Sequence, residues 1–378
     1  MADVTVDKTQ FLRLRRHAAA DCGYPWWVAT TRWLVKRAAI AFGSALMLLV
    51  ACANDPESLG QPTSGGPEAI ATNLDVPWGI AFLPDGSALI AERDSGAIQH
   101  MAQPGVVTNV GAVAGVAARG EGGLLGLATA GQTVFAYLTT AQDNRVVTMR
   151  FDGSSLTEPS PILTGIPAGS IHDGGRIAFG PDGKLYVATG ESGNPGLAQD
   201  RSSLGGKILR INPDGSIPPD NPNPASPVWS FGHRNIQGLA WDSAGRLWVT
   251  EYGANRLDEL NLIQRDGNYG WPMTEGRSDT PGLIDPMIQW PTGEASPSGL
   301  AYFGGSLWMA CLRGQRLYRI PVGSDGSLAD PEPLFVGQYG RLRTVVAAPD
   351  GALWFTTSNR DGRGSPRDGD DRILQFRP

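Results

Sequence analysis

Six times along this chain an apolar run is followed by a tight turn and a second apolar run, and this recurrence restricts the fold more than any other feature. The copies are GIAFLPDGSALIAERDSG from Gly79, GLLGLATAGQTVFAYLTTAQDN from Gly123, RIAFGPDGKLYVATGESG from Arg176, GLAWDSAGRLWVTEYGAN from Gly238, GLAYFGGSLWMACLRGQ from Gly299 and TVVAAPDGALWFTTSNRDG from Thr344. The turns are built on Pro-Asp-Gly or an equivalent, residues that preset φ, offer a side-chain acceptor and tolerate positive φ. The second run is rich in Leu, Val, Trp, Tyr and Phe, which favour strands. Copies spaced roughly 45 to 60 residues apart have room for four short strands each, the blade of a β-propeller. The sequence therefore predicts an all-β, six-bladed β-propeller with a central channel. A β-sandwich with chance turns does not account for six copies of one unit. The 50 glycines and 29 prolines agree, because both residues disfavour helix.

The propeller makes a geometric prediction. If the first strand of each copy is innermost and runs down to the Pro-Asp-Gly turn, residues just before it and just after the second strand share the opposite face, near the axis. The entry positions are Glu121, His172, Arg234 with Asn235, Ser296 with Ser298, and Arg341 with Arg343. The exit positions are Glu92 with Arg93, Asn144, Glu191, Glu251 with Gly253, Arg313 and Asn359. This is a crown of ionisable residues, whereas the turns at the other end offer only Pro, Asp, Gly and Ser. Within the crown, His172 and Glu191 bracket one hairpin, so the acid is placed to orient the imidazole as a base.

Residues 1–51 are a different material. Lys36 and Arg37 precede the apolar segment Ala38–Val50, which closes on Leu49-Val50-Ala51-Cys52. This resembles a lipoprotein signal, in which Cys52 becomes the acylated N-terminus of a protein exported and anchored at the outer face of the membrane. Residues 52–70, rich in Pro, Ser, Gly and Asn, read as a flexible tether, and 71–378 as the propeller. Cys22 would be removed and Cys52 lipidated, leaving Cys311 without a disulfide partner. The formal net charge of −6 argues against a nucleic-acid partner.

From Thr72 onward, EGGLLGL at Glu121, HDGGRIAFGPDGKLY at His172, GKILRINPDGSIPPDNP at Gly206, FGHRNIQGLAW at Phe231, EYGANRLDELNLI at Glu251, GNYGWP at Gly267, LRGQRLYRI at Leu312 and GRLRTVVAAPDG at Gly340 follow one another in family order. The chain resembles the soluble quinoprotein glucose/sorbosone dehydrogenases, including the bacterial aldose sugar dehydrogenases. The resemblance implies pyrroloquinoline quinone (PQQ) and calcium as cofactors, an aldose sugar as substrate and a separate electron acceptor. It implies that His172 is the catalytic base, supported by Glu191, and that Arg234 and Asn235 lie beside the quinone. Arg313, Arg341 and Arg343 match cofactor binders, and the carbonyls of Gly253 and Ala254 match ligands of the cofactor calcium. Glu259, Tyr269 and Asp279 fall at the spacing of a second calcium site. Glu121, expected at the substrate, stands where the family usually has Gln, Arg313 where it has Lys, and Tyr252 where it has Gln or His.

Two other readings stay open on the sequence. A propeller lactonase would need an axial calcium held by side-chain carboxylates and amides, and it gives the arginine cluster no task. A non-catalytic propeller lipoprotein would use the crown for binding alone. The chain would be a monomer or homodimer, touching a membrane only through its lipid. The signal motif makes a direct prediction: Cys52→Ala releases the protein from the membrane fraction or blocks its maturation. Mass spectrometry of the mature N-terminus checks it, and an unlipidated terminus far from residue 52 contradicts it.

Overall fold

A computed structural model describes residues 65–378. The signal segment and most of the tether lie outside the described residues. The described residues form twenty-four strands and one 3-10 turn at Pro195–Ala198, with no α-helix among them. The strands make six four-stranded antiparallel sheets, the six expected blades.

Five blades take consecutive strands. The first, for example, is built from Pro77–Phe82, Ala88–Glu92, Ala97–Gln103 and Val106–Ala112. The sixth is composite: Leu342–Ala347, Leu353–Thr357 and Ile373–Phe376 are completed by Glu68–Ala71, with Glu68 opposite Gln375. The propeller thus starts at Glu68 rather than at 71. Glu68–Ala71 precedes the first repeat and borrows its partner from the other end of the chain, so no local pattern marks it.

The hairpin turns work as their residues dictate. In the first blade Gly86 takes φ +86°, its N–H donates to Leu83 O at 2.9 Å, and Asp85 Oδ1 accepts from the N–H of Ser87 at 2.9 Å. Asp350 Oδ1 accepts from Ala352 in the same way in the sixth.

Each blade buries both faces. Six apolar clusters lie between successive blades, from Leu89 and Ile98 against Leu124 and Leu138 between the first and second, round to Ile70 and Trp354 against Ile90 and Met101 between the sixth and first; the one between the second and third also takes in Trp78 of the first. This is why Ala88–Glu92 is buried at every position instead of alternating.

The ends of the six first strands, including Ile80–Phe82 and Leu300–Tyr302, line one funnel of about 520 Å3 at the turn end of the axis. The first strands are therefore innermost, as expected. Near the axis they approach so closely that a Cβ on Gly79 would lie 2.5 Å from Leu125 O, one on Gly126 2.3 Å from Gly175 O, and one on Gly238 2.5 Å from Ser298 O. The leading glycines of the repeats are there to let neighbouring backbones meet. Gly126→Ala is accordingly expected to lower unfolding stability by about 1–3 kcal/mol, the cost of overpacking a filled site. Chemical denaturation reads it, and an unchanged midpoint contradicts the close-approach account.

Candidate active site

The opposite mouth of the channel holds a polar cavity of about 540 Å3 lined by Arg93, Glu121, His172, Arg234, Asn235, Tyr252, Gly253, Ala254, Asp258, Ser296, Arg313, Arg341, Arg343, Asp361 and Arg363, among others. Most of the crown converges here. Glu92, Asn144, Glu191, Glu251, Ser298 and Asn359 do not line it, and of these Glu191 and Glu251 stand behind it on His172 and His233. Their side chains tie down surrounding structure, as Asn144 Nδ2 does by donating to Pro167 O at 2.8 Å and Asp173 Oδ1 at 2.9 Å.

His172 sits in the left-handed region at φ +59°, and three groups hold it. Its N–H donates to Glu121 Oε2 at 2.9 Å. Its Nδ1 meets Glu191 Oε1 at 2.7 Å, and its Nε2 meets Arg234 Nη2 at 2.9 Å. A guanidinium can only donate, so Nε2 must accept, and the ring proton lies on Nδ1 toward the carboxylate. The arrangement selects the neutral tautomer with its lone pair at Nε2, the form a general base needs. Glu191 is 1% exposed, and its Oε2 and Arg234 Nε are buried without partners.

Arg234 reaches the site from the loop between the third and fourth blades. Its guanidinium lies 5.4 Å from the Trp271 ring, and burial lowers its pKa while Glu191 and Glu251 oppose the shift. Asn235 Oδ1 accepts from Gly174 at 3.0 Å. Burial alone would raise the carboxyl of Glu121, yet the His172 N–H and the Arg363 guanidinium, 2.9 Å away, hold it below its ordinary value.

Arg341 and Arg343 arrive side by side on the sixth blade. Asp361 Oδ2 accepts from Arg341 Nη2 at 2.9 Å and from Arg343 Nη2 at 3.2 Å, and Gln237 Oε1 accepts from Arg343 Nη1 at 3.2 Å. Burial lowers the pKa of Arg343. Arg313 is exposed and makes no hydrogen bond or ion pair among the described residues. Several cations around one cavity, sharing few acids, form a cradle for a multiply charged anion.

Gly253 and Ala254 border this cavity, and their carbonyls accept no hydrogen bond among the described residues, which leaves two hard oxygen donors available. Glu259 and Tyr269 border a separate small cavity with Glu251 and Glu275. There burial, with Glu251 beside it, pushes the Glu259 carboxyl up to about 8. The Tyr269 hydroxyl is occupied by Leu262 O at 2.7 Å and the Gln264 N–H at 2.8 Å, while its carbonyl accepts no hydrogen bond among the described residues. Asp279 is not brought to this cavity. It lies in an exposed loop at φ +53°, its N–H on Asp285 Oδ2 at 3.3 Å. Among the described residues no three His, Cys, Asp or Glu side chains group as a metal site.

Four participants escape a reading by repeat position. Asp361, Arg363 and Glu275 sit in long loops. Arg176 occupies the place that Gly79, Gly238 and Gly299 hold in other repeats, and that exchange is its one sequence signal. Its guanidinium lies 4.2 Å from the Trp78 ring, donating to Gln237 O at 2.8 Å and Thr344 Oγ1 at 3.1 Å, and it lines the head of the funnel at the turn end. Burial, reinforced by nearby Arg343, lowers its pKa to about 9.

Together with its relatives, the six-bladed propeller with an oriented histidine and a cationic cradle at one channel mouth belongs to the propeller dehydrogenases, oxidoreductases acting on CH–OH groups. Residues 74–366 match the Glucose / Sorbosone dehydrogenase family, and the chain belongs to it. It is similar to the aldose sugar dehydrogenase of Escherichia coli K12, at 29% identity over 81% of this chain and 94% of that one. It is also similar to quinoprotein glucose dehydrogenase B of Acinetobacter calcoaceticus, at 33% identity over 57% of this chain and 54% of that one. The solved PQQ-bound form of aldose sugar dehydrogenase from Streptomyces coelicolor is 52% identical, covers 84% of this chain and 99% of its own, and superposes with a TM-score of 0.80.

The shared carboxylate makes its own prediction. Asp361→Ala leaves two buried guanidinium groups facing each other, so stability should fall by about 3 kcal/mol. Denaturant titration measures this, and a change below about 0.5 kcal/mol, typical of a surface site, contradicts the pairing.

Proposed function

We propose that this protein oxidises an aldose sugar at C1 to the lactone, using PQQ with calcium. The observation that carries this reading is His172 fixed between Glu191 and Arg234 with Nε2 as acceptor, at the wall of an arginine-rich cavity. When bound, PQQ supplies the two-electron acceptor for hydride leaving the sugar carbon.

The residues present fit such a group. Arg341, Arg343 and Arg313 offer guanidinium donors for its carboxylates, Arg234 and Asn235 flank the place for its carbonyls, and the free carbonyls of Gly253 and Ala254 suit a calcium ion. His172 Nε2 takes the proton of the C1 hydroxyl, which replaces Arg234 Nη2 at that lone pair. Glu191 stabilises the resulting imidazolium across the 2.7 Å contact. Arg234, released from the imidazole, turns its charge toward the developing negative charge. Glu121 offers its carboxylate to sugar hydroxyls.

Glu259 and the Tyr269 carbonyl form the candidate for a second calcium, with Asp279 outside their cavity. The arginine cluster favours this redox reading over a lactonase, and the oriented base favours it over binding alone. Export, acylation at Cys52 and delivery of electrons to an acceptor outside the membrane belong to the same proposal and rest on the sequence.

His172→Ala tests it. Loss of a positioned base is expected to cut kcat by about 10²–10⁴-fold while the absorbance spectrum of bound PQQ persists. Near-native aldose turnover with PQQ bound would reassign proton abstraction. Failure of the native protein to bind PQQ in calcium would overturn the function.

A further inference from the structure

The loop carrying Gly253 and Ala254 is gripped from behind by one carboxylate oxygen. Glu275 Oε1 accepts from the N–H of Ala254 at 2.8 Å, Asn255 at 3.0 Å, Arg256 at 2.8 Å and Leu257 at 3.0 Å. Four consecutive amides converging on one anion form a backbone nest. Glu275 itself is largely buried, with 12% of its side chain exposed.

Peptide geometry turns this grip into aim. In a trans peptide the C=O and the N–H point in opposite directions. The Ala254 N–H shares its peptide plane with the Gly253 carbonyl, and the Asn255 N–H shares its plane with the Ala254 carbonyl. Two of the four amides on Glu275 therefore belong to the two planes whose carbonyls come from cavity-lining residues and accept no hydrogen bond among the described residues. Fixing those N–H groups on Oε1 directs both carbonyls away from Glu275. The carboxylate also polarises each amide, adding negative character to the oxygen at its far end.

We infer that Glu275 is a positioning residue, which aims and polarises the carbonyls of Gly253 and Ala254 to receive the calcium that accompanies the quinone. The inference rests on the proposed PQQ- and calcium-dependent function. Glu275 never meets the metal. It acts through two peptide planes, and removing it leaves the ligand atoms in place but unaimed.

The test uses the full chain with Glu275→Ala and Glu275→Gln, probed with PQQ and calcium chloride. Absorbance titration gives the calcium concentration at which PQQ binding is half-maximal. That concentration is expected to rise about tenfold or more in Glu275→Ala, and to rise less in Glu275→Gln, whose amide oxygen still accepts from the nest. Hydrogen exchange without PQQ or calcium gives a second readout: the amides of residues 254–257 are protected in the native protein and fast in Glu275→Ala.

A purely structural role would lower thermal stability and leave the calcium dependence unmoved, and that result overturns the inference. If Glu275→Ala does not fold, Glu275→Gln decides alone, because an unshifted calcium requirement in it is equally fatal. A native protein that binds PQQ equally well with and without calcium overturns the calcium reading itself, and the inference with it. That failure is recognisable because it needs no substitution.

Discussion

A sheet that is apolar on both faces has no stable free-standing form in water, and every blade of this protein is such a sheet. Each can bury its second face only against the next blade, so the structure is stable when the ring is complete. Closure is made by pairing Glu68–Ala71 with Ile373–Phe376, which ties the start of the propeller to its end. The crown depends on that closure. Its groups come from different blades, and only the ring places Arg341 and Arg343 of the last blade across from His172 near the middle of the chain.

The same architecture explains what can be read in the sequence and what cannot. The blades are legible because each repeats its own hairpin chemistry, and the crown is legible because repeat position fixes which residues reach the mouth. His172, Glu191, Arg234, Arg341 and Arg343 all follow from that rule. The rule fails where contacts are non-local or the residues lie in insertions. Glu68–Ala71 has no neighbour in sequence to announce it as a strand. Asp361 and Glu275 stand in loops of irregular length, and their importance comes from what folds against them, two guanidinium groups in one case and four amides in the other. Asp279 shows the reverse limit, since its family spacing puts it near Glu259 in sequence while its loop stays exposed.

The site distributes charge unevenly. Its cations outnumber its acids, and the acids present are largely engaged: Asp361 with two arginines, Glu121 with Arg363 and the His172 amide, Asp258 with the amides of Gly253 and Ser296. A surplus of buried positive charge is tolerable in a folded protein when a ligand can neutralise it. On the proposed function, the arginines and carbonyls form two poles, one for negative groups and one for a metal.

Arg176 binds four blades together near the axis. Held by Gln237 and Thr344 over the Trp78 ring, it ties the third blade to the fourth, sixth and first at the head of the funnel. On the proposed function, the sugar, its lactone and the agent that collects the electrons all come to the one polar mouth that His172 and the arginines line. Turnover then becomes strict alternation, a visit by the reductant followed by a visit by the oxidant. Each visitor is a competitor of the other, and an abundance of sugar slows the return of the enzyme to its starting state.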